Sequence, residues 1–140
     1  MDALPSYADA PFHCPPDVVI DLPYPPSVNR LWRATAEHGD ASVYLSPVYV
    51  DWKKEADALL LTSKGWRRPT IRGAFHIEIV LCPPKGKKRG DIDNRVKAVL
   101  DFMQRVAIVA NDKNCHRLLV EWVEQARAPH GCRVTVRSCQ

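Results

Sequence analysis

The sequence has few of the features that mark membrane-spanning or exported proteins. Its longest purely apolar runs, such as residues 106–110, are far too short to cross a bilayer. The first residues lack the basic segment followed by an apolar one that a secretory signal would show. We therefore expect a cytoplasmic protein that has no membrane partner.

Paired cysteines are also missing. The five cysteines make an odd number, and no two of them form a Cys-x-x-Cys pair. This pattern argues against a disulfide framework and against a zinc knuckle, since both need cysteines in pairs. We expect free thiols at all five positions. They are Cys14, Cys82, Cys115, Cys132 and Cys139.

The length of 140 residues leaves room for one domain with its own core and for no second one. Hydrophobic residues make up 46% of the chain and charged residues 26%, which is ordinary for a globular protein. Four of the first 16 residues are proline, a composition that predicts an extended arm over residues 1–16. Residues 17–140 then form the folded domain.

Hydrophobic periodicity predicts an α+β fold for this domain. One helix should begin at Ser46-Pro47 and end at Gly65, and a second should begin near Asp93. Strands are predicted where β-branched or alternating apolar residues recur. We expect a mixed sheet of about four to five strands, whose last two segments flank a turn at residues 129–131 and form a C-terminal β-hairpin. The predicted strands are residues 17–22, 42–45, 75–82, 118–125 and 132–137.

The positive charge of the chain is concentrated in residues 85–97, Lys-Gly-Lys-Lys-Arg-Gly-Asp-Ile-Asp-Asn-Arg-Val-Lys. Six Lys or Arg and two Asp give this segment a formal charge of +4, which equals the net charge of the whole chain. A local positive excess is expected beside a polyanion, because neutralised phosphates release their counterions. The segment therefore predicts a surface for nucleic acid.

Asp91 and Asp93 lie inside this basic segment, where two carboxylates are poor phosphate binders by themselves. A Mg²⁺ ion between them and a phosphate explains their presence, since hard cations take carboxylate and phosphate oxygens. Residues i and i+2 share one side only in an extended or turn-like segment, so we expect such a backbone at residues 90–93. A helix with a buried apolar stripe follows, and Lys97 lies one turn inside it.

Each of these features also has a simpler structural interpretation. A basic run can be a solvated loop, and an aspartate at a helix start can be only a cap. Asp112, in an Asn-Asp turn, is the candidate for a third carboxylate, although spacing alone does not bring it to the first two. Asn29 and Arg30 can contact a phosphate backbone, whereas Ser27 and Asn29 can equally make turn hydrogen bonds.

The order of these motifs resembles the RusA family of Holliday-junction resolvases over residues 18–137. The most specific likeness is Asp-Ile-Asp-Asn at residues 91–94 with Lys97, together with Asp112 in its Asn-Asp pair. A weaker likeness is Pro-Pro-Ser-Val-Asn-Arg at residues 25–30. The resemblance implies a RusA-like nuclease domain over residues 17–140.

The same resemblance implies roles for individual residues. Asp91, Asp93 and Asp112 would bind Mg²⁺, for which Mn²⁺ is an expected substitute, and Lys97 would be a catalytically required cation. It also implies a homodimer that resolves four-way DNA junctions by paired symmetric incisions, in DNA recombination and repair, without an organic cofactor. The side chains expected to hold flanking DNA backbone are Lys85, Lys87, Lys88, Arg89, Arg95, Asn29 and Arg30.

The chain departs from the family pattern at one position beside the acidic pair. The best-known member has arginine directly before the first aspartate, where this chain has Gly90, with Arg89 one place earlier. The alternative function is a non-catalytic DNA-binding module, which predicts no dependence on Mg²⁺ and no nicking of branched DNA. A glycosyltransferase with an Asp-x-Asp motif would need a larger nucleotide-binding domain than 140 residues provide.

Overall fold

The computed structural model describes residues 16–30, 32–35 and 42–139. The predicted arm, residues 1–16, lies outside these ranges except for its last residue. Within the described ranges, no helix has the length and apolar character needed to cross a membrane.

The described residues form a small α+β domain, as the periodicity predicts. A mixed four-stranded sheet has the order β1-β6-β4-β5, and β2 pairs with β3 in a separate two-stranded ribbon. The strands are β1 (Val18–Pro23), β2 (Trp32–Thr35), β3 (Ser42–Leu45), β4 (Phe75–Leu81), β5 (Cys115–Trp122) and β6 (Gly131–Ser138). The α-helices are α1 (Pro47–Thr62) and α2 (Val96–Arg105).

The last two strands follow one another and run in opposite directions, as expected for the predicted C-terminal hairpin, but their pairing differs. β4 lies between them, because β5 pairs with β4 in parallel and β6 pairs with β4 in antiparallel register. The connection over residues 123–130 contains the 3-10 turn Gln125–Arg127. This connection is long enough to cross the end of β4, whereas a hairpin between neighbouring strands needs only two to five residues.

Helix α1 begins where the Ser-Pro pair predicts. The Ser46 hydroxyl accepts a hydrogen bond from the Tyr49 N–H at 3.2 Å, and proline occupies the first helical position. The buried face is Tyr49, Trp52, Ala56 and Leu60, which packs against β1. Val48 lies off this face and is 41% exposed, because the buried residues recur at spacings of three and four from Tyr49.

The core lies between the sheet and the two helices. In the strand predicted at residues 75–82, Phe75, Ile77, Ile79 and Leu81 are fully buried as expected, and Val80 on the opposite face is buried as well. Phe102 of α2 meets the Trp52 ring edge-on at 5.8 Å between centroids. Each large apolar side chain buried in this way contributes about 1.5–3 kcal/mol, so the contact fixes the position of α2 and of the turn that leads into it.

Candidate functional site

The basic segment forms the turn that connects β4 to α2. Two glycines adopt left-handed backbone conformations in it, Gly86 with φ of +81° and Gly90 with φ of +66°. Glycine has no Cβ and takes this conformation without the steric cost that other residues meet. A Cβ at Gly90 would also lie 3.4 Å from the Arg95 guanidinium. Gly90 therefore suits a backbone conformation that a side chain at this position would strain.

The acidic pair follows directly after Gly90. Asp91 is extended, with φ of −85° and ψ of 133°, and precedes the 3-10 turn Ile92–Arg95, after which α2 begins. Its carboxylate makes no capping hydrogen bond. Asp91 and Asp93 are both exposed, and neither side chain has a hydrogen bond or ion pair within the described part of the chain. The backbone is turn-like as predicted, and the carboxylates do not act as helix caps.

Lys97 lies one turn inside the helical segment, with half of its side chain exposed. Its Nζ is 2.9 Å from Oδ1 of Asp101 and 3.7 Å from Oδ2 of Asp112. The hydrogen bond to Asp101 raises the pKa of Lys97, and burial opposes this only in part. Lys97 is therefore held as an ammonium between two carboxylates, one of which, Asp101, the sequence analysis did not single out.

Asp112 begins a short 3-10 turn, Asp112–Asn114, just before β5. The turn predicted from the Asn-Asp pair is present, since the Asn111 side chain accepts a hydrogen bond from the Lys113 N–H at 3.0 Å. The Asp112 N–H donates to the side-chain oxygen of Gln104 in α2 at 2.9 Å. Asp112 is thus attached to the same helix that carries Lys97.

The three candidate carboxylates do not form one cluster. No group of three His, Cys, Asp or Glu side chains in residues 16–30, 32–35 and 42–139 could hold a metal ion. The donor chemistry nevertheless fits a hard divalent cation at Asp91 and Asp93, whose exposed carboxylate oxygens have no partner among the described residues. Asp112 does not offer its oxygens in this way, because it forms an ion pair with Lys97.

The basic side chains around the acidic pair divide into two groups. Lys85, Lys87, Lys88 and Arg89 are exposed on the turn. Arg95 is half-buried, and its Nη1 donates to the carbonyl oxygen of Pro25 at 3.0 Å. The first group can therefore meet a polyanion directly, whereas Arg95 ties the turn to the Pro-Pro segment.

Two aromatic residues support this arrangement, and neither was singled out from the sequence. The Arg95 guanidinium lies 4.9 Å from the centroid of Tyr24, and that of Arg89 lies 5.4 Å from a ring centroid of Trp122. Tyr24 and Trp122 stack at 6.5 Å, and the Tyr24 hydroxyl donates to the Arg89 carbonyl oxygen at 3.1 Å. Cation–π contacts of this kind hold the basic turn against Tyr24, which follows β1, and against the last residue of β5.

The second predicted DNA-contacting segment lies near the first. The Asn29 N–H donates to the Ser27 hydroxyl at 3.3 Å, which is the turn hydrogen bond foreseen as the alternative role. The Asn29 side chain is exposed, and the Arg30 side chain lies outside the described part of the structure. A cleft of about 600 Å³ runs between this segment, α1 and the basic turn, with Tyr24, Lys87 and Lys88 in its walls.

The fold and the site together define a small α+β domain that presents acidic and basic side chains on one exposed turn. Residues 23–137 match the family model described as endodeoxyribonuclease RusA, so the chain belongs to the RusA family. Comparison with curated proteins finds no match. The family indicates an endodeoxyribonuclease acting on Holliday junctions, and its nucleases are generally dependent on a divalent metal.

Proposed function

We propose that this chain is a Mg²⁺-dependent endodeoxyribonuclease that resolves four-way DNA junctions by paired symmetric incisions, with a role in DNA recombination and repair. The observation that carries the proposal is the pair of exposed carboxylates, Asp91 and Asp93, on a basic turn. Carboxylates without protein partners in such surroundings repel DNA unless a cation joins them to it. The family match supplies the class of substrate.

Asp91 and Asp93 would hold the divalent cation, and Asp112 would join them once Lys97 withdraws from it. The hard oxygen donors favour Mg²⁺, and Mn²⁺ should replace it. A bound divalent ion supplies Lewis-acid activation for hydrolysis of a phosphodiester. Gly90 and the 3-10 turn Ile92–Arg95 would hold the backbone that carries the two carboxylates.

Lys97 would stabilise the negative charge that develops on the phosphate or on the leaving oxygen. Its raised pKa, caused first by the hydrogen bond to Asp101, keeps it charged throughout the neutral range. A fixed cation aimed at developing charge acts more strongly in the transition state than in the ground state. Lys97 is therefore proposed as a catalytic residue rather than as a general DNA contact.

The exposed basic side chains would hold the DNA on either side of the reacting phosphate. Lys85, Lys87, Lys88 and Arg89 would contact backbone phosphates, which sets affinity and its dependence on salt. Arg95 would contribute by fixing the turn through Pro25 as well as by its charge. Asn29 and Arg30 are proposed as further backbone contacts from the neighbouring segment.

A homodimer follows from the geometry of the substrate. One chain carries one candidate site, and a four-way junction must be cut in two strands of like polarity. A twofold axis through the junction would place one site at each scissile phosphate. We propose that the dimer works in the cytoplasm without an organic cofactor.

A non-catalytic DNA-binding module is the second candidate. The observation that favours it is the ion pair between Lys97 and Asp112, which leaves the described residues without a three-carboxylate group. In that function the basic turn alone would act, and Asp91 and Asp93 would have no chemical role. This module would bind branched DNA equally well with and without Mg²⁺.

A synthetic mobile four-way junction separates the two candidates. The protein and the variant Asp93→Asn are each incubated with end-labelled junction, with and without Mg²⁺. The control is Asp57→Asn, which removes the carboxylate that pairs with Arg105. We expect paired symmetric incisions that need Mg²⁺ from the parent and from the control, and binding without incision from Asp93→Asn. Incision that persists undiminished in Asp93→Asn removes the proposed site.

A further inference from the structure

The nearest partner of Lys97 is not the candidate metal ligand Asp112. Its Nζ lies 2.9 Å from Asp101, which is a hydrogen-bonding distance, and 3.7 Å from Asp112, which is not. Asp101 follows Lys97 by four residues in α2, the spacing at which side chains on one helix face meet. The lysine is therefore anchored mainly on its own helix.

Asp101 depends on Lys97 for its charge balance among the residues that the structure describes. Within the described ranges Lys97 is its only ion-pair partner. Arg105, the next basic residue of α2, donates instead to Asp57 of α1 at 2.7 Å. The Asp101 side chain is only one-third exposed. Burial is the main cause of the raised pKa of Tyr49 in α1, and the negative charge of Asp101 raises that pKa further.

We propose that Asp101 is a positioning residue, which holds Lys97 on α2 and thereby frees Asp112 to bind a divalent cation. This inference rests on the proposed metal-dependent function. A cation at Asp112 repels an ammonium group only a few ångströms away, so Lys97 must withdraw when the metal binds. Asp101 gives the withdrawn lysine a charged hydrogen-bond acceptor, and this lowers the free energy of the metal-competent arrangement.

Replacement of Asp101 by asparagine removes that acceptor charge. Lys97 then has Asp112 as its only carboxylate partner and competes directly with the metal for it. Because the pair is partly exposed, we expect Asp101→Asn to weaken Mn²⁺ binding about two- to fivefold. Asp101→Glu keeps the charge at nearly the same place and should restore most of the affinity.

The test is a titration of the metal-free full chain with Mn²⁺, without DNA, followed by the electron paramagnetic resonance signal of free Mn²⁺. Asp57→Asn is the matched control, since it removes a carboxylate of a surface ion pair that does not contact Lys97. Lys97→Met should tighten Mn²⁺ binding, because it removes the competitor. In the Lys97→Met background Asp101→Asn should have no further effect.

Three outcomes overturn the inference. Mn²⁺ affinity unchanged in Asp101→Asn, loss that Asp101→Glu does not restore, or equal loss with and without Lys97 each show that Asp101 does not act through the lysine. An equal loss in both backgrounds would instead assign Asp101 a direct electrostatic effect on the metal. Asp93→Asn keeps the two proposals apart: if it also leaves Mn²⁺ binding unchanged, the proposed function itself fails.

Discussion

The two acidic regions of the site differ in how their charge is balanced. On the turn before α2, Asp91 and Asp93 are exposed and have no partner within the described part of the chain. Beside α2, Asp101 and Asp112 share the ammonium group of Lys97. The first region is ready to receive a cation, whereas the second already contains one that belongs to the protein.

This difference shows how one chain can keep an acidic site stable without its metal. Unbalanced carboxylates close together repel one another, and an internal lysine removes that repulsion on one side of the site. At Asp91 and Asp93 the basic turn reduces the repulsion at longer range, through Lys85, Lys87, Lys88 and Arg89. We therefore expect Asp91 and Asp93, the open pair, to determine whether a metal binds. Asp101 and Asp112, the lysine-bound pair, should determine how tightly it binds.

The largest effect should come from the open pair. Asp91→Asn removes one of the two carboxylates proposed to bind the metal, and we expect the incision rate of a four-way junction to fall by about 10³-fold or more. Junction binding in a gel-shift assay should remain, because the basic turn is intact. An incision rate within about tenfold of the parent would show that the open pair is not the metal site.

Lys97→Met tests the other side of the comparison. It removes the cation that would stabilise the transition state, so we expect the single-turnover incision rate to fall about 10²-fold at saturating Mg²⁺. Lys64→Met, which changes an exposed lysine beyond α1, is the control. If the two variants cut at the same rate, Lys97 has only a structural role between Asp101 and Asp112.

Gly90→Ala tests whether the backbone of the turn positions Asp91 and Asp93. At φ of +66° an alanine costs roughly 1–2 kcal/mol of stability, and a displaced Asp91 should lower the incision rate about tenfold. Gly65→Ala introduces the same strain at φ of +81°, with nothing within 4 Å and far from the acidic pair. Both variants should unfold at lower denaturant concentration, and only Gly90→Ala should lose incision. Equal incision rates for Gly90→Ala and Gly65→Ala would show that the backbone conformation of Gly90 does not affect the site.

The smallest effect concerns the positive turn. Lys87→Ala should weaken junction binding a few-fold and reduce the slope of log affinity against log salt by about 0.9, the value of one phosphate contact. The incision rate with the site saturated should change little. A salt slope identical to that of the parent would place Lys87 outside the DNA surface.

Local sequence signals predicted the elements that carry the site. Ser46 with Pro47 determines the start of α1, recurring apolar residues at every second position identify β4, and an Asn-Asp pair identifies the turn before β5. These signals are local because capping, pleating and turn hydrogen bonds involve residues a few positions apart. The β-ribbon strand Trp32–Thr35 was not predicted, since a four-residue strand carries too little periodicity.

Features that depend on distant residues were not predicted. The insertion of β4 between β5 and β6 depends on sheet pairing rather than on either strand alone. Tyr24 follows β1 and Trp122 ends β5, and these strands are opposite edges of the sheet, so only the folded chain brings the two rings together. Asp101 is different, since its position four residues after Lys97 is a readable helical signal. Attention to i,i+4 charge pairs would have identified it.

The most direct test of the open pair is a calorimetric titration of Mg²⁺ into the metal-free protein and into the double variant Asp91→Asn/Asp93→Asn. We predict saturable binding to the parent and none to the double variant, with both proteins retaining the same unfolding transition. Binding of equal affinity to both proteins would contradict the claim that these two exposed carboxylates receive the metal.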